Sequence, residues 1–407
     1  MISLDALYTT DDVQKLYQWF DQMRVDQPIW LDERSKCWHI FRYDDVRVVL
    51  NDYSRFSADI RSRTPIRSIS SKRSSDFTIG LLLSIDPPQH ELLRNLVTSA
   101  FSPQSIAQLS GRIKEIVQEL LDNVRSSGKM DVIDDFAYAL PVRVISEMLG
   151  MPTNEWYKCK HWTDELLAMQ VSDAQMFSGE EPEAFRRGRQ SAEEMADYFE
   201  EMIEDRRLHP RQDVISELAT AEIEGRHLNN DELISFCFQL YLAGYLTTTS
   251  ILGHMVACLD ANPEAMQYLK EQPDKVPLAM EEVLRFSFPA WRMMRVTTSE
   301  VTLSGVTIPE GAVVMAWIAS ANRDPEQFTT PEKFEVSRKP NRHLSFGYGI
   351  HHCIGAPLSR LETSIALRMV LEQLPNLRRA DHEPLELLDG RRIVYGLKHL
   401  PVTFTPS

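Results

Sequence analysis

Between Leu233 and Leu259 the chain runs for 27 residues, LISFCFQLYLAGYLTTTSILGHMVACL, without an Asp, Glu, Lys or Arg. A segment so long and apolar must either cross a bilayer or lie inside a large core. The flanks separate the two. Asp231, Glu232, Asp260 and Glu264 bracket the run without a Lys or Arg anchor, and Gln239, His254 and the hydroxyls of Thr247, Thr248, Thr249 and Ser250 fall inside it. The expectation is a helix in a soluble core, apolar all round because every face meets protein, with no membrane association. Asn229, Asn230 and Asp231 offer caps at its start, and Asn262 with Pro263 stops it. Such a helix is about 45 Å long, the width of a domain of this size, and unifies the chain into one core.

The remaining pattern is lopsided. Apolar residues recur at spacings of three and four in Asp11 to Arg24, Gln89 to Phe101, Ser105 to Val124, Asn154 to Met169 and Ala184 to Arg207, interrupted by one strand-like run, Cys37 to Tyr43. After Pro289 short β-type pieces take over: Arg295 to Thr298, Val301 to Leu303, Val306 to Ile308, Val313 to Ile318 and Pro401 to Phe404. Gly305 and Gly311 turn the chain, and one helix, Ala356 to Leu374, intervenes. With no repeat or Gly/Ser linker, residues 1–407 read as one domain, mainly α with a smaller β-rich part.

The 44 Lys and Arg against 59 Asp and Glu give a net charge of −15, which repels nucleic-acid phosphates and anionic lipid; no nucleic-acid partner is expected. Five cysteines, Cys37, Cys159, Cys237, Cys258 and Cys353, are odd in number and contain no CxxC pair, which excludes a disulfide scaffold and points to a reducing compartment. No basic n-region followed by an apolar h-region opens the sequence, so a cytoplasmic location is expected.

The stretch richest in chemistry is FGYGIHHCIGAPLSR, Phe346 to Arg360. Gly347, Gly349 and Gly355 let backbone adopt positive φ and approach a flat ligand, and the helix that starts directly afterwards favours a thiolate at Cys353. This presents one sulfur anion to a metal held by something other than protein. A buried structural thiol is an alternative. So is a zinc site on His351, His352 and Cys353, although adjacent residues supply three tetrahedral ligands poorly and no second Cys/His cluster completes the shell.

The same stretch resembles the haem-binding loop of the cytochrome P450 family, whose FxxGxHxCxG pattern is matched by Phe346, Gly349, His351, Cys353 and Gly355. EEVLR carries Glu282 and Arg285 at the family's ExxR spacing, with Arg338 as their downstream arginine; on bare spacing the pair also reads as a helix-surface ion pair. DPPQHELLR is similar to the bacterial DPPxHxxxR segment and maps its haem-propionate partners to His90 and Arg94, while Arg295 and His343 stand where the family places two more. NRDPEQF and GLKHLPVTF extend the similarity over roughly Leu16 to Phe404. The resemblance implies the cytochrome P450 fold, a long central buried helix over a haem, with haem b (iron-protoporphyrin IX) ligated through Cys353. The implied activity is monooxygenation: hydroxylation or epoxidation of a small apolar organic substrate with O2 and electrons from NAD(P)H, delivered by a ferredoxin and ferredoxin reductase.

One position departs from the family. The central helix normally reads AGxxTT with an acid just before the first Thr, whereas here Ala243, Gly244, Tyr245 and Leu246 precede Thr247 and Thr248. Ala243 and Gly244 leave space for oxygen and Thr247 supplies the hydroxyl, but Leu246 cannot relay protons. That keeps a second class open: a peroxide-driven peroxygenase, an isomerase or dehydratase, or a haem-bearing recruitment module. The Thr run also reads as hydroxyls bonding back to helix carbonyls.

For the substrate, Arg61, Arg63, Arg67, Lys72 and Arg73 in one acid-free segment, Arg186, Arg187 and Arg189 in another, and Arg292 point to an acidic molecule or a chain on an acyl carrier protein; solvated loops explain the same charges. Leu82, Leu240, Ala290, Met293 and Val394 are the candidate apolar wall, and core packing explains any one of them equally. Arg338, Lys339, Arg342 and Arg360 are the candidate ferredoxin contacts.

Overall fold

The computed structural model describes residues 7–60, 81–98, 100–152, 154–168, 183–223, 225–388 and 394–407. The basic segment with Arg61, Arg63, Arg67, Lys72 and Arg73 lies outside them. The chain divides into two compact units. One gathers Met1–Thr64, Ile106–Leu140 and Thr247–Ser407; the other gathers Pro65–Ser105 and Pro141–Leu246.

The predicted central helix is Asn230–Ala261, 32 residues and roughly 48 Å at the standard rise. Asn229 caps it: its side chain accepts from the Glu232 amide at 2.9 Å and the Glu232 carboxylate accepts from the Asn229 amide at 3.0 Å. Asn262 stops it and starts the next helix, Pro263–Glu271, with proline in the first turn. Its apolar stretch is long enough for a bilayer, and 61% of it is buried against protein, as a core helix requires.

In the first unit a five-stranded sheet runs in the order Ile29–Asp32, Cys37–Ile40, Val313–Ala316, Met293–Thr297, Phe56–Ser57. Cys37–Ile40 and Val313–Ala316 are parallel, and the other pairs are antiparallel. Val314, Ala316, Ile40, Phe56 and Val296 from this sheet are buried, and helices Val276–Phe286 and Ala356–Gln373 add Val283, Leu284, Leu367 and Leu371 to the same core. Trp19, Phe20, Trp30, His39, Phe41 and Trp317 form an aromatic cluster with edge-on and stacked contacts.

The second unit holds helices Gln89–Thr98, Trp156–Leu167, Glu183–Leu208 and Val214–Thr220. Arg206, on the third, is buried and donates to Asp213 at 2.6 Å and to the Gly150 carbonyl at 2.8 Å. The predicted helix Ser105 to Val124 is in fact two, Pro103–Gln108 and Ser110–Val124. The Leu109 amide bonds to the Ile106 carbonyl, a tight turn that ends the first before the second begins.

Candidate active site

The Cys353 loop is built by backbone. The Cys353 amide donates to the Phe346 carbonyl at 2.7 Å, the Gly347 amide to Leu344 at 2.8 Å and the His352 amide to Gly349 at 3.1 Å. Gly349 has a φ of +72°, and a β-carbon there would sit 3.0 Å from the Asn51 backbone, so both handedness and space exclude a side chain. Gly355 precedes helix Ala356–Gln373, and a β-carbon on it would lie 3.9 Å from the Cys353 sulfur. None of Cys37, Cys237, Cys258 and Cys353 forms a disulfide, and Cys353 is exposed, whereas the other three are buried. The structural-thiol alternative needed a buried sulfur, and the loop presents an open one.

Phe346 packs inside the loop with the Arg360 guanidinium 4.5 Å from its ring centre. Glu281 accepts from Arg360 at 2.6 Å and faces His343 Nε2 at 2.9 Å. Burial raises the Glu281 carboxyl, but His343 and Arg360 outweigh it and bring the group down to about 2. Both ring nitrogens of His343 are engaged, since Nδ1 accepts from the Ser345 amide at 3.3 Å. His343, a candidate propionate partner, here joins Glu281 to the Ser345 amide behind the loop.

Glu282 and Arg285 are not a surface pair. Both side chains are 0% exposed, with bonds of 2.8 and 2.9 Å between them. Arg338 joins at 3.1 Å, and Asn341 and the Glu335 amide complete the carboxylate. The arginines spend their remaining donors on the carbonyls of Asn322, Pro331, Lys333, Thr329 and Thr330. Arg338, so enclosed, is withdrawn from the candidate ferredoxin contacts, and Arg360 is committed to Glu281 and Phe346. Lys339 and Arg342 are exposed.

The rest of the first unit's contribution is Thr247, half-buried on the central helix, and Arg295, buried on strand Met293–Thr297 with Nη1 donating to the Met294 carbonyl at 2.8 Å. Ala290 and Met293 are half-buried and Val394 is buried. Arg292, on the pocket list, is half-buried with its guanidinium over Trp317, 5.3 Å from the ring centre, and burial lowers its pKa.

In the second unit His90 and Arg94 stand four residues apart on helix Gln89–Thr98, on one face, with His90 buried. Leu82 and Leu240 are buried, and the Leu82 amide donates to Gln239 at 2.9 Å. Ala243 is exposed halfway along the central helix. Gly244 has a packing reason the sequence concealed: a β-carbon there would meet Ile145 at 3.1 Å, where helix Ala139–Met148 crosses. The second basic cluster is largely neutralised, Arg186 by Glu183 and Arg187 by Glu165.

The donor set fits a haem. One open thiol on a rigid glycine-rich loop suits an iron whose other ligands come from a macrocycle, and a buried cation of the same unit, Arg295, suits its carboxylates. Zinc is not suited, because among the described residues the group of His, Cys, Asp or Glu side chains close enough to share an ion, Asp131, Asp134 and His399, does not include Cys353.

The family model for cytochrome P450 matches residues 8–379. A putative cytochrome P450, YjiB, of Bacillus subtilis is 38% identical over 96% of this chain and 94% of its own length. Erythromycin C-12 hydroxylase of Saccharopolyspora erythraea is 36% identical over 99% of this chain and 98% of its own. The ligand-free structure of cytochrome P450 TbtJ1 superposes with a TM-score of 0.87 at 38% identity, covering 98% of this chain and 99% of that one.

Proposed function

Since this chain belongs to the cytochrome P450 family and is a monooxygenase of that class, we propose that it hydroxylates or epoxidises an apolar organic molecule, with electrons passed from NAD(P)H through a ferredoxin reductase and a ferredoxin. The observation that carries this reading is the exposed Cys353, whose backbone amide donates to the Phe346 carbonyl on a loop whose glycines keep its surroundings clear. Haem b is the group assigned to it, and when bound it supplies oxygen activation.

Cys353 is the proposed axial ligand, with Phe346 and Gly355 shaping its surroundings. Arg295, His343, His351, His90 and Arg94 are the proposed polar partners of the haem. Thr247 is the proposed hydroxyl that would hold a proton at Oγ1 for the oxygen chemistry the haem would supply. Ala243 and Gly244 keep that part of the helix slim.

The substrate is proposed to be neutral. Arg186, Arg187 and Arg292, which pointed to an acid or an acyl carrier protein, are committed to Glu183, Glu165 and Trp317. Lys339 and Arg342 remain as exposed cations for an acidic ferredoxin. A cytoplasmic location accords with this partnership.

Leu246 favours a second reading, use of peroxide, because it leaves no carboxyl beside Thr247 to pass protons. The two readings separate by product formed per NAD(P)H with a surrogate ferredoxin pair against product per added peroxide. Product only with peroxide would refute the first reading.

A further inference from the structure

Thr247, Ser250 and His254 recur at intervals of three and four along the central helix, so they share one face. Ser250 and His254 reach the same atom, the carbonyl oxygen of Tyr395: Ser250 Oγ donates to it, and His254 Nε2 lies 3.2 Å away. A carbonyl only accepts, so His254 carries its proton on Nε2, and burial lowers its pKa to about 4, keeping the ring neutral around pH 7.

The remainder of Tyr395 is held as closely. Its amide donates to the Pro289 carbonyl at 2.7 Å, and its ring lies 4.3 Å from His254 and 4.7 Å from Trp291 between ring centres. Gly396 follows because a β-carbon there would come 3.2 Å from Ser250 Oγ. Two stretches far apart in sequence, Pro289 to Trp291 and Val394 to Gly396, are thus fastened to each other and to adjacent turns of the helix face that carries Thr247. They include Ala290 and Val394, two candidate wall residues. None of these side chains has a task in the haem assignment.

We propose, resting on the haem-thiolate reading above, that Ser250 and His254 are positioning residues. By fixing the Tyr395 carbonyl they set where Ala290 and Val394 stand relative to Thr247, and so determine how bulky a ligand that pocket admits. They act through Tyr395 and touch no ligand themselves.

The test uses holoenzyme titrated with imidazole and with 4-phenylimidazole, followed by the shift of the haem absorption band, in wild type, H254F, H254Q and S250A. Phenylalanine preserves the ring against Tyr395 but removes the donor; glutamine restores a donor. The ratio of the two dissociation constants is expected to change by about threefold or more in H254F and S250A, the size of one ordinary hydrogen bond, and to return towards wild type in H254Q. Amide exchange of the peptide spanning 394–397 should quicken in the same two variants and not in H254Q. An unchanged ratio, or an H254Q ratio as altered as that of H254F, would overturn the proposal. If H254F does not fold, S250A, which loses a single oxygen, carries the comparison. If no haem band forms in any variant, the haem assignment fails, and unchanged exchange would then overturn the clamp separately.

Discussion

Replacing Glu282 by Gln changes one oxygen to an NH2 group at the most enclosed charge in the first unit. The carboxylate receives two bonds from Arg285, at 2.8 and 2.9 Å, two from Arg338 Nε, at 3.1 and 3.2 Å, one from Asn341 at 3.1 Å and one from the Glu335 amide at 2.9 Å. Every partner is a donor. An amide nitrogen therefore faces donors whichever way it is turned, and two buried guanidiniums lose their counter-charge. Removing one partner of a buried pair costs about 3–5 kcal/mol. The arginines keep five backbone carbonyls as acceptors, so the lower end, about 3 kcal/mol, is expected, a large part of the roughly 5–15 kcal/mol that a folded protein has in all. Urea unfolding of the holoenzyme should show the midpoint falling by roughly 1 M at unchanged slope, since the slope for small domains is about 1–3 kcal/mol per M and rises with size. The loss should be insensitive to added salt, because the pair is shielded from solvent. A midpoint within about 0.2 M of wild type, or a loss abolished by salt, would refute this account.

Three further outcomes follow from the same geometry. Glu362 is buried without a partner for Oε2 among the described residues, and burial raises its pKa to about 8. Its folded value lies above the unfolded one, so wild type loses stability as pH rises from about 4.5 to 8, whereas E362Q does not; the variant's advantage in unfolding free energy should grow across that window towards roughly 4–5 kcal/mol, and a constant difference would contradict the reasoning. Glu281 has the opposite sign: its contribution is complete above about 4.5 and is lost as pH falls through about 2, so H343F, which removes one of the groups that lower it, should begin to unfold at higher pH in an acid titration followed by circular dichroism. L246D restores a carboxyl before Thr247 and should raise product per NAD(P)H several-fold, less than the ~10²–10⁴ of a fully positioned acid or base; unchanged coupling would show that protons reach the site by another route.

What the sequence disclosed was local. Charge-free length placed the central helix within three residues at each end, because caps and a proline mark helix limits directly. Helix Glu183–Leu208 was read within a residue at each end from its apolar spacing. The Cys353 loop was legible because glycines at φ near +72° cannot be exchanged for other residues. Helices Tyr43–Asn51, Ala139–Met148 and Val276–Phe286 were not read, since their limits rest on tertiary burial more than on caps. Strand Ile29–Asp32 was hidden for a related reason: four residues show no period until paired with Cys37–Ile40.

The side chains whose partners the sequence hid share one cause. His343, Arg292, Arg338 and Arg360 are polar groups whose partners lie 25 to 79 residues away, and spacing alone cannot tell a cation that faces a ligand from one that meets Glu281, Glu282 or Trp317. The contact between Ser250 and Tyr395, 145 residues apart, is invisible for the same reason; a Ser and a His on a helix face that also carries Thr247 were the available signal.

The most direct test of the central claim is the absorption spectrum of the purified protein, reduced with dithionite under carbon monoxide, compared with that of Cys353→Ala. The account predicts a strongly red-shifted haem band in the wild type that is absent from the variant, while both proteins retain the same far-ultraviolet circular dichroism. A red-shifted band that survives in Cys353→Ala, or no haem signal in the wild type, would contradict it.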